Sequence, residues 1–232
     1  MIEYSTFSLT ARCPHTGMFG IAVATRVPAV GAAVPHLRAG VGAIASQART
    51  NPYIGVHGLE LLASGATVEA VRDAIVAWDP DIEERQFALV DGSARATAFT
   101  GAETKAHAGH RIGEGFAAAG NLLTGPEVLD SMVASFADSV DDALADRLLR
   151  ALEAGQAAGG DARGKQSAAL HLVDREAYPY LDLRVDEHSD PIDELRRVYG
   201  VWREVFGPHL SSRPTRAELE ERTGVPGPSL AR

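Results

Sequence analysis

Apolar and polar side chains alternate over residues 5–12, and this period of two predicts a half-buried β-strand. Residues 19–25 are nearly all small and apolar, which predicts a buried strand that pairs back on the first across a turn. Residues 28–40 are apolar but interrupted by Pro and Gly, so we expect a loop there. A third strand is predicted over residues 40–47.

The spacing of apolar residues then changes to that of helices. Residues 53–64 carry apolar side chains at helical intervals, and a second helix is predicted from the cap residue Thr67 to Trp78. The remaining elements follow the same order of strands, paired helices and strands. They are predicted strands over residues 85–90, 94–100 and 111–119, helices over 125–136 and 141–154, strands over 168–173 and 180–185, and a helix over 191–206.

Strands and paired helices that are segregated along the chain indicate an α+β layered domain rather than alternating βαβ units. A four-layer αββα sandwich, with two antiparallel sheets between helix layers, satisfies this order. Small residues in the early strands, such as Gly20 and Ala43, suit two sheets that pack closely. We expect one domain over residues 1–206 and a C-terminal tail over residues 207–232 that packs on the body or on a partner subunit.

Composition narrows the classes of function. The 232 residues are 45% hydrophobic and 23% charged, which is typical of a globular protein. The net charge of −9 disfavours nucleic acid as a partner, because phosphate contacts need a basic face. There is no long apolar run for a membrane span and no visible signal peptide, so we expect a cytoplasmic protein with no membrane partner. A single cysteine, Cys13, excludes an internal disulfide.

A glycine-rich segment over residues 159–164 contains Asp161 and Arg163 and runs into a strand that begins with Gln166 and Ser167. Glycines permit a positive φ, and exposed amides in such a loop can form an anion-binding concavity, so these residues are candidates to bind substrate. The alternative is a tight turn that an Asp161–Arg163 pair closes locally.

Polar residues also follow other strands. Gln47 ends the third strand, and a buried amide there needs polar partners, which predicts a polar pocket. Asn51 is either a helix N-cap or part of this pocket. Asn121 is either a turn residue or an oxyanion donor. Candidate substrate-binding residues at the same strand ends are Arg26, Arg49, Thr50 and Asn51.

Metal and cofactor motifs are weak. Asp186 and His188 form a possible carboxylate–imidazole pair, but no third ligand is recognisable, so we expect no metal. Neither a GxGxxG motif nor a P-loop is present, and we expect no cofactor.

Several segments together resemble one known family. GGDARGKQSAA at residues 159–169 and DLRVDEH at 182–188 are similar to the signature of the domain-of-unknown-function family 1028, and the likeness extends over about residues 5–200. That family is grouped with the N-terminal-nucleophile hydrolases, which implies an αββα sandwich. The resemblance also implies a nucleophile at the start of the first strand, where Thr6 lies next to Ser5. Thr6 gains a free amine only if the chain cleaves itself between them, because the bulky Ile2 should prevent removal of Met1.

Three hypotheses follow. The first is an amide hydrolase acting on a small polar amide, with Thr6 as nucleophile and a substrate that bears a carboxylate or amide. The second is a hydrolase or deaminase on the same scaffold that needs no self-processing and uses side chains such as Gln47, Asn121, Asp161 and His188. The third is a metabolite-binding protein without turnover. We expect a homodimer or higher homo-oligomer in each case.

Overall fold

The computed structural model describes residues 6–227, which contain ten strands and six α-helices. The strands are β1 (Thr6–Arg12), β2 (Phe19–Thr25), β3 (Pro35–Arg38), β4 (Gly42–Ala48), β5 (Arg85–Asp91), β6 (Ala96–Thr100), β7 (Gly109–Gly113), β8 (Phe116–Gly120), β9 (Ser167–Val173) and β10 (Leu181–Val185). The helices are α1 (Pro52–Ala63), α2 (Val68–Trp78), α3 (Glu127–Ala137), α4 (Leu144–Ala157), α5 (Pro191–Val205) and α6 (Arg216–Thr223).

The strands form two antiparallel sheets. One has six strands in the order β10-β9-β2-β1-β8-β7, and the other has four in the order β3-β4-β5-β6. Strand β1 is central in the larger sheet, and alternate residues face opposite sides. Phe7 and Leu9 belong to a core shared with α3, α4 and α5, whereas Ser8 faces the smaller sheet and contacts Gln47.

The smaller sheet is covered on its outer side by two helices. Ile44, Phe87 and Leu89 pack against apolar side chains of α1 and α2, including Ile54 and Val71. The layers are therefore helices, sheet, sheet, helices, and the predicted αββα sandwich is confirmed.

Small side chains fill much of the space between the two sheets. Ala88 and Ala98 of the smaller sheet pack on Ala117 and Ala119 of β8. Because alanine adds one methyl group to the backbone, the sheets approach closely here. Polar groups buried in this layer consequently lie within hydrogen-bonding reach of the opposite sheet. The prediction from the early small residues is confirmed for Ala43 and Ala45 and wrong for Gly20, which faces Leu144 and Leu148 of α4 instead.

Two predicted elements were wrong. Residues 28–40 are not a loop throughout, because a 3-10 turn at Val30–Ala32 is followed by β3, an edge strand paired with β4. Proline is tolerated there because Pro35 opens an edge strand. Residues 111–119 are not one strand but belong to the hairpin β7–β8, whose turn includes Gly115 at φ 73°.

The chain after α5 contacts the body of the protein. Arg213 donates hydrogen bonds to the carbonyls of Pro179 and Tyr180, at 3.0 Å each, and its guanidinium lies 4.3 Å from the ring centre of Tyr178. Helix α6 begins with a capping box formed by Thr215 and Glu218. Within residues 6–227, no helix is both long and apolar enough to cross a bilayer.

Candidate functional site

Three buried amide side chains meet between the sheets at one end of the strands. Gln47 and Gln86 are paired across β4 and β5, and Gln47 Nε2 donates to Gln86 Oε1 at 2.8 Å. Asn121, just after β8, donates from Nδ2 to the same oxygen at 3.0 Å. We call Gln47, Gln86 and Asn121 the amide cluster. All three are almost inaccessible to solvent, so their hydrogen bonds replace those that water would have made.

Further groups complete the bonding of the amide cluster. Ser8 Oγ donates to Gln47 Oε1 at 2.6 Å, which connects β1 to the smaller sheet. Gln86 Nε2 lies 2.8 Å from the Gly120 carbonyl and 2.9 Å from Thr100 Oγ1. The amide cluster therefore connects both sheets at the level where β1 begins.

Thr6 lies directly beside this cluster. It is the first residue of β1 and is fully buried, with its Oγ1 3.4 Å from Oγ1 of Thr25 on β2. Its carbonyl oxygen accepts from the backbone N–H of Asn121 at 3.0 Å, and Gln47 Nε2 lies 3.5 Å away. Thr6, Gln47 and Asn121 are thus brought together between the two sheets.

The backbone is strained next to two members of the cluster. Ala48 has φ 67° and Leu122 has φ 50°, and they directly follow Gln47 and Asn121. A residue with a Cβ in the left-handed region costs about 1–2 kcal/mol. Such strain persists only where the surrounding structure imposes it, and it is concentrated at functional sites.

A small cleft opens beside these strained residues. Its volume is about 30 Å³, close to that of one water molecule. The residues that line it are Ala48, Arg49, Glu84, Glu103, Thr104, Lys105, Asn121 and Leu122. Both signs of charge occur at this entrance, and Arg49 pairs with Glu84 at 2.5 Å.

Asp161 forms a second polar cluster near the same strand ends. Its carboxylate, 3% exposed, accepts from the backbone N–H groups of Arg26 and Arg163 at 2.9 Å each and from the Arg163 guanidinium at 3.1 Å. The backbone of Asp161 also forms an isolated antiparallel β-bridge with Leu123, two residues after Asn121. The sequence left open whether the glycine-rich segment binds substrate or is closed by a local Asp161–Arg163 pair, and this pair is present in the structure.

Gln166 and Ser167 connect β9 to the end of β2. Arg26 Nη1 donates to Gln166 Oε1 at 2.6 Å, and the Gln166 N–H donates to the Thr25 carbonyl at 2.9 Å. Ser167 Oγ donates to the Val27 carbonyl at 2.6 Å and accepts from the Val30 N–H at 3.2 Å. The Ser167 hydroxyl therefore holds the backbone after β2 in place.

Asn51 is the N-cap of α1, one of the two roles that the sequence left open. Its Oδ1 accepts from the Tyr53 N–H at 3.0 Å, and its Nδ2 donates to Asp79 Oδ2 at 2.8 Å. Burial alone would raise the pKa of Asp79, but the hydrogen bonds from Asn51 and Arg85 bring it below its ordinary value. The neighbouring Thr50 hydroxyl lies 3.5 Å from the Ala48 carbonyl.

The pair considered for metal binding is engaged with other groups. His188 Nδ1 accepts from the Asp190 N–H at 3.0 Å, and an Asp186 carboxylate oxygen lies 3.8 Å from Arg184 Nε. Among residues 6–227, no group of three or more His, Cys, Asp or Glu side chains is placed to hold a metal ion.

Sequence reasoning missed Gln86 and Lys105 as parts of this region. Gln86 follows Arg85 at the start of a fully buried strand, and a polar side chain in such a strand was the available signal. Its partners are 39 and 35 residues away in sequence, so only the strand pairing reveals the contact. Lys105 lies in an irregular segment that no periodic pattern marks.

Two stacked antiparallel sheets between helix layers, with Thr6 as the first residue of a central strand, define an αββα sandwich protein. The chain belongs to the family of unknown function DUF1028, whose model matches residues 6–195. It is similar to the crystal structure of protein SPO2555 from Silicibacter pomeroyi, also of that family, with 31% identity, a TM-score of 0.85, and 92% of this chain and 97% of the other covered.

A more distant similarity is to Anbu (ancestral beta-subunit) from Yersinia bercovieri. The identity is 11% and the TM-score 0.41, with 97% of this chain and 100% of the other covered. No curated protein matches the sequence.

Proposed function

We propose that this protein is an amide hydrolase in which Thr6 is the nucleophile. The observation that carries the proposal is the position of Thr6, which opens the central strand and whose carbonyl is held by Asn121. The proposal requires that the bond between Ser5 and Thr6 is cleaved, since the amine of Thr6 then serves as the general base. Ser5 lies outside the residues that the structure describes.

In this mechanism Thr6 Oγ1 attacks the carbonyl carbon of the substrate while the Thr6 amine takes up the hydroxyl proton. The tetrahedral oxyanion is stabilised by an amide donor, a role that we assign to Asn121, whose backbone N–H donates to the Thr6 carbonyl at 3.0 Å. The amine then protonates the leaving nitrogen, and water hydrolyses the resulting ester. Gln47 and Gln86 keep Asn121 and the backbone of Thr6 in position throughout.

The guanidinium and ammonium groups around the site suit a small substrate that bears a carboxylate, which would compete with Glu84 for Arg49. Arg49 and Lys105 line the cleft, and Arg26 and Arg163 follow at the next strand end. Guanidinium groups suit bidentate recognition of a carboxylate. The cleft must widen to admit such a molecule, because its present volume is that of one water.

A mechanism that uses Asp161 or His188 without self-processing has less support. Both oxygens of the Asp161 carboxylate already accept hydrogen bonds from Arg26 or Arg163, so the carboxylate is engaged within the protein. His188 Nδ1 is engaged by the backbone of Asp190. We therefore favour Thr6 over Asp161 and His188 as the residue that carries out the chemical step.

Intact-mass measurement of the purified protein tests the proposal directly. We expect the wild type and Thr6→Ser to lack residues 1–5 and Thr6→Ala to remain uncut, because only the first two keep a hydroxyl. Release of ammonia or amine from small carboxylate-bearing amides should follow the same pattern. A full-length mass for the active wild type, or activity retained by Thr6→Ala, would overturn the assignment of Thr6.

A further inference from the structure

A second cavity lies on the outer helix layer, between α1 and α2, and has no part in the chemistry proposed for Thr6. Its volume is about 460 Å³, within the range of about 300–1,000 Å³ typical of small-molecule sites. We call it the α1–α2 groove. It is lined by His57, Glu60, Leu61, Ser64, Ala74, Ile75 and Trp78.

Aromatic rings form one wall of the groove. Tyr53 stacks on His57 with ring centres 5.3 Å apart, and His57 meets Trp78 edge-on at 4.9 Å. Trp78 is 50% exposed, although a ring of this size is usually well covered in a folded protein. Trp78 lines the groove together with Leu61 and Ala74, and clustered apolar side chains on a surface are typical of binding sites.

The groove contains one carboxylate and no Lys or Arg. Glu60 is the single Asp, Glu, Lys or Arg residue in α1, and its Oε2 lies 3.1 Å from His57 Nδ1. Glu60 and Trp78 both line the groove, and each attracts a cation, because the carboxylate is negative and so is the face of the indole quadrupole. An anion would meet no positively charged Lys or Arg in the lining.

We propose that the α1–α2 groove binds a monocationic organic ammonium compound with an apolar or aromatic body. Leu61 and Ala74 contact the apolar body, Trp78 supplies a cation–π contact, and Glu60 balances the charge. The site is independent of Thr6, which lies between the sheets rather than on the outer helices.

A second copy of the chain fits the groove less well. The large exposed apolar side chains on these helices are Tyr53, Val56 and Trp78, whereas a stable interface uses about 20–30 residues a side. In a dimer whose two-fold axis passes through the groove, Glu60 would also lie near Glu60 of the second copy, and the two negative charges would repel each other.

The test uses three probes that share a phenylethyl- or benzyl-type body but differ in charge: 2-phenylethylammonium, 2-phenylethanol and phenylacetate. Binding to the full chain is followed by NMR through the two indole N–H signals, of which Trp202, packed on Tyr180 and Tyr199, is the internal reference. Trp78→Phe identifies the reporting signal.

We expect 2-phenylethylammonium to shift the Trp78 signal saturably and 2-phenylethanol to bind at least about 5-fold more weakly, with no saturable shift from phenylacetate. Glu60→Gln should weaken the ammonium about 3- to 10-fold and leave the alcohol unchanged, since it removes the charge and keeps the shape. Glu69→Gln is the matched control, because Glu69 is an exposed residue of α2 outside the groove lining. It should leave the affinity for all three probes unchanged.

Three outcomes would overturn the proposal. Equal binding of ammonium and alcohol would remove the role of charge, and the absence of saturable binding by the ammonium would remove the site. A Trp78 signal that moves with protein concentration, together with dimers in light scattering that Val56→Arg abolishes, would assign the groove to a second copy instead.

Discussion

Replacing Gln86 with leucine should destabilise the fold strongly, although leucine has a similar size and is apolar. Gln86 Oε1 is the shared acceptor for Gln47 Nε2 and Asn121 Nδ2, at 2.8 and 3.0 Å. Leucine removes this acceptor and leaves both donors buried between the sheets.

The expected loss can be worked from these contacts. A buried donor that loses its partner costs about 1–3 kcal/mol, so two donors cost about 2–6 kcal/mol. Burial of the leucine side chain offsets about 1–2 kcal/mol of this. From the middle of each range, about 4 less about 1.5 kcal/mol, we expect Gln86→Leu to lower the free energy of unfolding by about 2.5 kcal/mol, a sizeable part of the about 5–15 kcal/mol typical of a domain.

Urea unfolding, followed by circular dichroism and by tryptophan fluorescence, measures this change. Gln166→Leu is the matched control, because the same chemical change there removes a hydrogen bond to Arg26 that lies at the surface. We expect it to cost less than about 1 kcal/mol. Surface substitutions usually change the free energy of unfolding by less than about 0.5 kcal/mol. If the free energies of unfolding of Gln86→Leu and Gln166→Leu differ by less than that, the reasoning about the amide cluster is refuted.

Other predictions concern helix glycines and pH. Gly55→Ala should lower the melting temperature because its Cβ would lie 2.1 Å from His36 Cγ, whereas Gly200→Ala, with no atom within 4 Å, should raise it; thermal unfolding of both compares them. Burial lowers the pKa values of His36 and His171 below 6.5, outweighing the carboxylate of Asp182 near His171. The unfolded chain then binds these protons more readily, so the free energy of unfolding should fall as pH drops below about 6.5. In urea titrations between pH 5 and 8, an unchanged pH slope in His171→Gln would count against this cause.

Local patterns in the sequence were sufficient for much of the fold. The alternation before Arg12 and the caps Asn51 and Thr67 act over a few residues, and the strand and both helix starts were confirmed. The strand is buried on both faces rather than half-buried, because its polar face is covered by the second sheet. Strand β3 was missed because Pro35 usually marks a break, and its tolerance at an edge depends on which strands are neighbours.

The candidate site divides in the same way. The Asp161–Arg163 pair spans two residues and was foreseen as one alternative, whereas Gln86 meets Gln47 and Asn121 only after the sheets assemble. A contact between distant segments depends on strand pairing, and no local pattern around Gln86 states which partner it has. The roles assigned to Thr6 and the surrounding arginines stay predictions.

The pairing of Gln47 with Gln86 also helps to fix the register of β4 against β5. Along β5, Gln86 and Ala88 face the opposite sheet, whereas Phe87 and Leu89 face the helices. A shift of one residue between β4 and β5 would turn the Phe87 ring toward the opposite sheet, where the space is sized for alanine. It would also place the Gln86 amide among the apolar side chains under the helices, without a hydrogen-bond partner. Both errors are costly, so the observed register of β4 and β5 is favoured over the shifted one.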